Sequence, residues 1–180
     1  MKTFASFTTS NYSVQDGFVT VLPVNEKDFT ESDYKKIVKV CNQKEIYSLL
    51  FKERLGGKSY KLADAKGFVN WATKGWETKE YFVFIVRNQL NQIVGAIDIK
   101  SNNLDLAEVG YWMDKDSPGY MTNVLIGLAC QAKDFGFKKL YGLTKINNDK
   151  SKRVLLRAKF LSTGKYVQND CEYDRFEIVL

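Results

Sequence analysis

The sequence predicts an α+β fold in which helices flank a mixed, mostly antiparallel sheet. Three observations predict it. Within 81–113, three strand-like runs follow one another across short polar turns, the pattern of an antiparallel meander. One helix-like run then separates Met113 from the next strand-like run at Lys138, which suits a right-handed crossover between parallel strands. The last two runs, 161–169 and 172–180, read as a closing hairpin.

In chain order, residues 1–17 are polar and rich in Ser and Thr, and read as an N-terminal arm or an edge segment. Residues 18–180 hold no linker, repeat or low-complexity stretch and read as one domain. "FVTVLPV" (18–24) is β-rich and meets Pro23 near its end, as a strand close to a sheet edge can. A helix is expected over 25–43. Thr30 is its cap, Asp33 stands three residues on, and Ile37, Val38 and Cys41 form its apolar side. A second helix over 44–57 stops at Gly56-Gly57. A third, 62–76, carries Leu62, Ala65, Phe68, Val69 and Ala72 at helical spacing. "YFVFIVRN" (81–88) is nearly continuously apolar, which suits a strand buried on both faces. "IVGAIDIK" returns beside it, and 102–114 makes the third strand. A helix over 120–136, a strand over 138–146 and a helix over 149–160 complete the order.

The 180 residues carry a formal charge of +6 and no histidine. Without histidine there is no Ser-His-Asp triad and the usual zinc sites are absent, so no metal is expected. Acid–base chemistry falls to Glu, Asp, Tyr, Lys, Cys, Ser or water. The cations are scattered, with no zinc finger, RNP-type strand or Arg-rich tail, and nucleic acid is not an expected partner. Three distant cysteines, no signal peptide and no long apolar span predict a reduced, cytoplasmic protein away from membranes.

"DKDSPGYMTNVL" (114–125) runs a Pro-Gly turn into a helix. A helix start offers N–H groups without intrahelical partners and a partial positive charge. Gly119 lets an anion approach the backbone closely. On its own the stretch is a weak signal and reads first as a helix entry after a plain turn. Its neighbours are "IVGAIDI" (93–99), "EVGYWMD" (108–114), "GFKKLYGLT" (136–144) and "NDKSKRVLLRAKF" (148–160). In this order and spacing, over 18–180, they resemble the GNAT superfamily of acyl-CoA-dependent N-acetyltransferases, in particular the branch that acetylates ribosomal-protein N-termini.

The resemblance implies a GNAT fold, its sheet splayed near 111–114, with acetyl-CoA in the split as co-substrate. It implies that the N–H groups around Gly119, Tyr120, Met121, Thr122 and Asn123 hold the pyrophosphate, and that the pantetheine runs beside Tyr111, Trp112 and Met113. The N–H of Tyr111 or Met113 meets the thioester oxygen if the strand bulges there. Glu108 is the implied general base. Asn148 and Ser151 match the family's Asn-x-x-Ser; Asn148 contacts the pantetheine or reacting groups, and Ser151 protonates the sulfur. Both are also ordinary helix-start residues. Leu155 stands where many relatives have a tyrosine donor. Lys150, Lys152 and Arg153 either meet the 3′-phosphate or form a solvated helix face. Trp71, Trp76, Phe82 and Tyr111 are candidates to wall an acceptor pocket. Asp116 replaces the family's usual Gln or Arg in the phosphate loop, so its carboxylate must face solvent or pair with Lys115. The implied acceptor is a primary amine, a protein N-terminal α-amine or a small amine. A homodimer is compatible with the branch. The divergent loop also fits a second reading, an acyl-CoA-binding or regulatory module of the same fold with little or no catalysis.

Overall fold

The computed structural model describes residues 3–12, 17–168 and 171–180. The parts of the expected arm at 1–2 and 13–16, and residues 169–170 within the expected closing hairpin, lie outside the described residues.

Eight strands form one sheet in the order β1-β2-β3-β4-β5-β6-β8-β7. These are β1 (Phe7–Ser10), β2 (Phe18–Pro23), β3 (Phe82–Asn88), β4 (Ile93–Ile99), β5 (Ala107–Met113), β6 (Lys139–Lys145), β7 (Leu161–Gln168) and β8 (Cys171–Val179). Every neighbouring pair is antiparallel except β5 and β6. Between them the chain crosses over through helix α4 (Met121–Phe135). The central apolar run of β3 is buried along both faces, as its composition requires.

Helices α1 (Glu31–Cys41) and α3 (Leu62–Thr78) cover one face of the sheet. Ile37, Val69, Ala72 and Ile85 are fully or almost fully buried there. Helices α4 and α5 (Asp149–Arg157) cover the other, where Leu125, Leu128 and Leu155 meet Ile97 and Leu140. Phe4 is buried against Phe135 with ring centroids 4.6 Å apart, which fastens the N-terminal residues to the second core.

The helix expected over 25–43 is divided. Asn25 caps a 3₁₀ turn at Glu26–Asp28, and Phe29 and Thr30 are then extended. The Thr30 side chain accepts from the Asp33 N–H while the Asp33 carboxylate accepts from the Thr30 N–H, and that exchange needs an extended cap residue. The helix expected over 44–57 is a short α2 (Lys44–Ile46) opening into a π-helical turn, Tyr47–Phe51, where the Lys52 N–H reaches back to the Tyr47 carbonyl at 2.8 Å. Among the described residues no helix is long and apolar enough to cross a membrane.

β5 pairs with β4 up to Met113, but with β6 only from Ala107 to Val109. Beyond Val109 the two parallel strands part, and β6 continues along β8 to Lys145. This parting positions the site.

Candidate active site

Two cavities open along the parting of β5 and β6. The larger, about 630 Å³, is lined by Tyr111, Trp112 and Met113 of β5, Gly119 and Met121 at the start of α4, and Asn148 and Ser151 at the start of α5. Residues Ile46, Leu49 and Leu50 from α2 and the π turn close one side. The smaller, about 300 Å³, holds Glu108, Lys100, Lys145, Glu53 and Arg54. Leu49, Leu50 and Asn148 line both cavities.

The ladder decides which backbone groups face the parting. Lys100 N–H donates to the Glu108 carbonyl and Asp114 N–H to the Val94 carbonyl, at 2.9 and 2.7 Å. Even-numbered residues of β5 are therefore committed to β4. The N–H and C=O groups of Tyr111 and Met113 point the other way, where β6 has departed. The β4–β5 register is regular through Met113, so this orientation needs no bulge.

Gly119 has φ +87, and a Cβ there would lie 2.4 Å from Asn11 Oδ1. The Tyr12 N–H donates to the Gly119 carbonyl at 2.9 Å, Asn11 Nδ2 donates to the Pro118 carbonyl at 2.8 Å, and Asn123 Nδ2 donates to the Ser10 carbonyl at 3.0 Å. The end of β1 and the residues after it thus brace the loop from outside. The N–H groups of Gly119 through Asn123 have no hydrogen-bond acceptor among the described residues. Tyr120, Thr122 and Asn123 do not line the cavity with their side chains. Thr122 is buried in the core.

The loop before Gly119 is built on Asp114, whose side chain is only 2 % exposed. Its carboxylate accepts from Lys36 Nζ at 2.6 Å, Gln43 Nε2 at 2.7 Å and Asp116 N–H at 3.1 Å, while Gln43 Oε1 accepts from Lys115 N–H. Burial works to raise the Asp114 pKa, but the hydrogen bonds from Lys36, Gln43 and Asp116 prevail and hold it below the usual carboxylate range. Such a group stabilises the fold fully above its unfolded pKa, and the contribution is lost as pH falls through the folded value. Asp114→Asn is expected to lose roughly 2 kcal/mol at neutral pH. Chemical denaturation at stepped pH should show the gap between wild type and variant closing below about pH 4. Asp116 is exposed and does not line the cavity.

Glu108 sits in the smaller cavity, paired with Lys100 and accepting from the Tyr141 hydroxyl at 3.3 Å. Beneath them the Asp98 carboxylate accepts from Gly110 N–H at 3.1 Å. Loss of water pushes Asp98 up to about 7, with Lys100 opposing, Glu108 adding and the Gly110 N–H opposing.

At α5, the Asn148 side chain accepts from Ser151 N–H at 3.2 Å, a helix cap. The Tyr111 hydroxyl lies 2.7 Å from Ser151 Oγ and donates to the Ser151 carbonyl at 3.2 Å. Burial pushes the Tyr111 phenol above its ordinary range against the Ser151 hydrogen bond, so it stays protonated at neutral pH. Leu155 is packed over Gly142 in the core.

The larger cavity is also lined by Lys44, Lys115, Lys150, Arg153 and Arg157. Of its carboxylates, Glu45 is paired with Lys150 and Asp114 with Lys36. Lys152 turns away to Asp174 at 2.6 Å. Trp71 stacks on Tyr81, Trp76 donates to the Val83 carbonyl and Phe82 is buried; of the four aromatic wall candidates, Tyr111 alone lines either of these two cavities. Arg157, Gln43 and the Tyr111 hydroxyl are the contributors that sequence reasoning missed. Among the described residues no group of three or more Cys, Asp or Glu could hold a metal ion.

A family model described as the acetyltransferase (GNAT) domain matches residues 27–161. Among solved structures, the chain is similar to the microcin C7 self-immunity acetyltransferase MccE, crystallised with acetyl-CoA and AMP. The identity is 17 % over 92 % of this chain and 93 % of that one, with a TM-score of 0.74. It is also similar to the ribosomal-protein-S5-alanine acetyltransferase of Vibrio fischeri, at 16 % identity over 98 % and 97 % of the two chains, TM-score 0.73. RimJ of Mycobacterium smegmatis, in complex with CoA-disulfide, gives 16 % over 98 % and 90 %, TM-score 0.73. At these identities the likeness is one of fold. No curated protein gives a significant match to the sequence.

Proposed function

The chain belongs to the GNAT acetyltransferase family, and we propose that it transfers the acetyl group of acetyl-CoA to a primary amine by direct attack in a ternary complex. The observation that carries this reading is the pair of cavities meeting at the parting of β5 and β6, one rich in cations and the other holding Glu108, with Asn148 on both.

The residues present fit acetyl-CoA, which supplies an activated thioester carbonyl. Unpartnered N–H groups from Gly119 to Asn123, at the positive end of α4, suit the pyrophosphate. Arg153 and Arg157 suit the remaining phosphate. The N–H groups of Tyr111 and Met113, turned into the parting, are oriented donors for a developing oxyanion or a pantetheine amide. Asn148 caps α5 and so fixes Ser151. Ser151, backed by the protonated Tyr111 hydroxyl, holds a proton for the departing sulfur. Glu108 receives the acceptor ammonium and takes its proton. The N–C bond forms as the C–S bond breaks, the sulfur takes the Ser151 proton and ends as a thiol, the second proton lost from nitrogen restores Ser151, and Glu108 releases its proton to solvent. Holding both partners in line supplies much of the rate, which suits a chain without histidine. The acceptor we favour is a protein N-terminal α-amine, because solved neighbours are named as ribosomal-protein acetyltransferases.

Thermal unfolding tests the binding half. Acetyl-CoA at about a hundred times its dissociation constant should add roughly 2.7 kcal/mol and raise the midpoint. No shift at millimolar acetyl-CoA would contradict it.

A further inference from the structure

We propose that the amine acceptor carries an anionic group of its own within a residue or two of the amine: an α-amine followed closely by a carboxylate. This rests on the reading of the smaller cavity as the acceptor site. Its charged lining is three cations, Arg54, Lys100 and Lys145, and two carboxylates, Glu53 and Glu108. Both carboxylates are taken. Lys145 Nζ lies 2.7 Å from Glu53 Oε1, and Lys100 is paired with Glu108. Arg54 has no carboxylate partner among the described residues, and its guanidinium rests over the Phe51 ring, 5.3 Å from the centroid.

Entry of an ammonium changes this balance in one direction. The acceptor ammonium needs Glu108 and must share it with Lys100, which also lies beside Asp98. The occupied cavity then presents Arg54, which has no carboxylate partner among the described residues, and Lys100, which shares Glu108, to a substrate that is itself positive at the amine. A second positive charge on the acceptor is repelled by both. A carboxylate on the acceptor answers Arg54 and offsets the crowding of positive charge at the shared Glu108. Polyamines and aminosugars are disfavoured for the same reason. The shared chemistry is met by two sources, a peptide N-terminus with an acidic residue in its first two positions and a free acidic amino acid.

The test is an acceptor panel with the intact chain and acetyl-CoA. It comprises one peptide N-terminus with Glu, Ala or Lys at its second position, free glutamate, and spermidine. Thiol release and product mass give kcat/KM, and calorimetry gives each peptide's affinity for the CoA-loaded protein. The Glu peptide is expected to exceed the Lys peptide by about tenfold in kcat/KM, mainly through KM, with Ala between and spermidine lowest. The calorimetric order should be the same. Arg54→Gln, at an exposed position, should bring the Glu-to-Lys ratio toward unity. Free glutamate matching the Glu peptide would assign a small-molecule acceptor, and peptide-only activity a protein N-terminus; either supports the inference. Equal or faster use of the Lys peptide or spermidine, or a ratio unchanged by Arg54→Gln, would overturn it and leave the acetyltransferase reading standing. Acetylation of no acceptor at all would overturn both.

Discussion

Glu108→Gln is expected to lower kcat/KM for the amine by roughly a hundredfold while leaving acetyl-CoA affinity where it was. The two effects separate because Glu108 lines the smaller cavity and not the larger. An amide still accepts from Lys100 and from Tyr141, so the local packing is retained, and Lys100 keeps Asp98 as a neighbour. What the amide lacks is the capacity to take a proton and to attract an ammonium. Steady-state kinetics with the amine varied, alongside calorimetric titration of acetyl-CoA, read both quantities. A loss of twofold or less would remove Glu108 from the chemistry. A parallel loss of acetyl-CoA affinity would mean the substitution had disturbed the parting of β5 and β6 instead.

Gly119→Val is expected to weaken acetyl-CoA binding by at least about tenfold, through a strain of roughly 1–2 kcal/mol at the loop. Two independent features oppose a side chain there. The backbone lies in the left-handed region at φ +87, and the Cβ would collide with Asn11, which itself holds the Pro118 carbonyl. Relief of either moves the N–H groups proposed to hold the pyrophosphate. Gly164→Val is the control. It has φ +106 with open space around it on the edge strand β7, and it lines neither cavity. It should lower the unfolding midpoint and leave acetyl-CoA affinity unchanged. Undiminished affinity in Gly119→Val would contradict the role given to the loop.

Local chemistry made much of this architecture readable from the sequence. The Thr30–Asp33 exchange, the apolar run of β3 and the crossover after Met113 each rest on neighbours in sequence or on a period, and each has its physical cause within a few residues. The strand β1 was less legible, because its pairing with β2 and the anchoring of Phe4 against Phe135 are contacts across the fold. The segment after Gln43 read as a regular helix because its Leu and Phe spacing cannot distinguish an α from a π turn.

The site divides in the same way. The quoted motifs brought Tyr111, Met113, Gly119, Asn148 and Ser151 to one cavity wall. Sequence assigned Asp116 the awkward charge in the loop, whereas the carboxylate that organises it is Asp114, through Lys36 and Gln43, more than seventy residues away. The hydrogen bond between Tyr111 and Ser151 likewise spans forty residues and two elements. A hydroxyl on a strand gives no local signal that a helix from much later in the chain will meet it.

The central claim is amine acetylation at the meeting of the two cavities. Its most direct measurement is mass spectrometry of an α-amino peptide incubated with the protein and acetyl-CoA, with thiol release followed in the same reaction. The account predicts a singly acetylated N-terminus formed in step with CoA thiol, and its loss in Glu108→Gln. Unmodified peptide with no thiol release, from folded protein that binds acetyl-CoA, would contradict it.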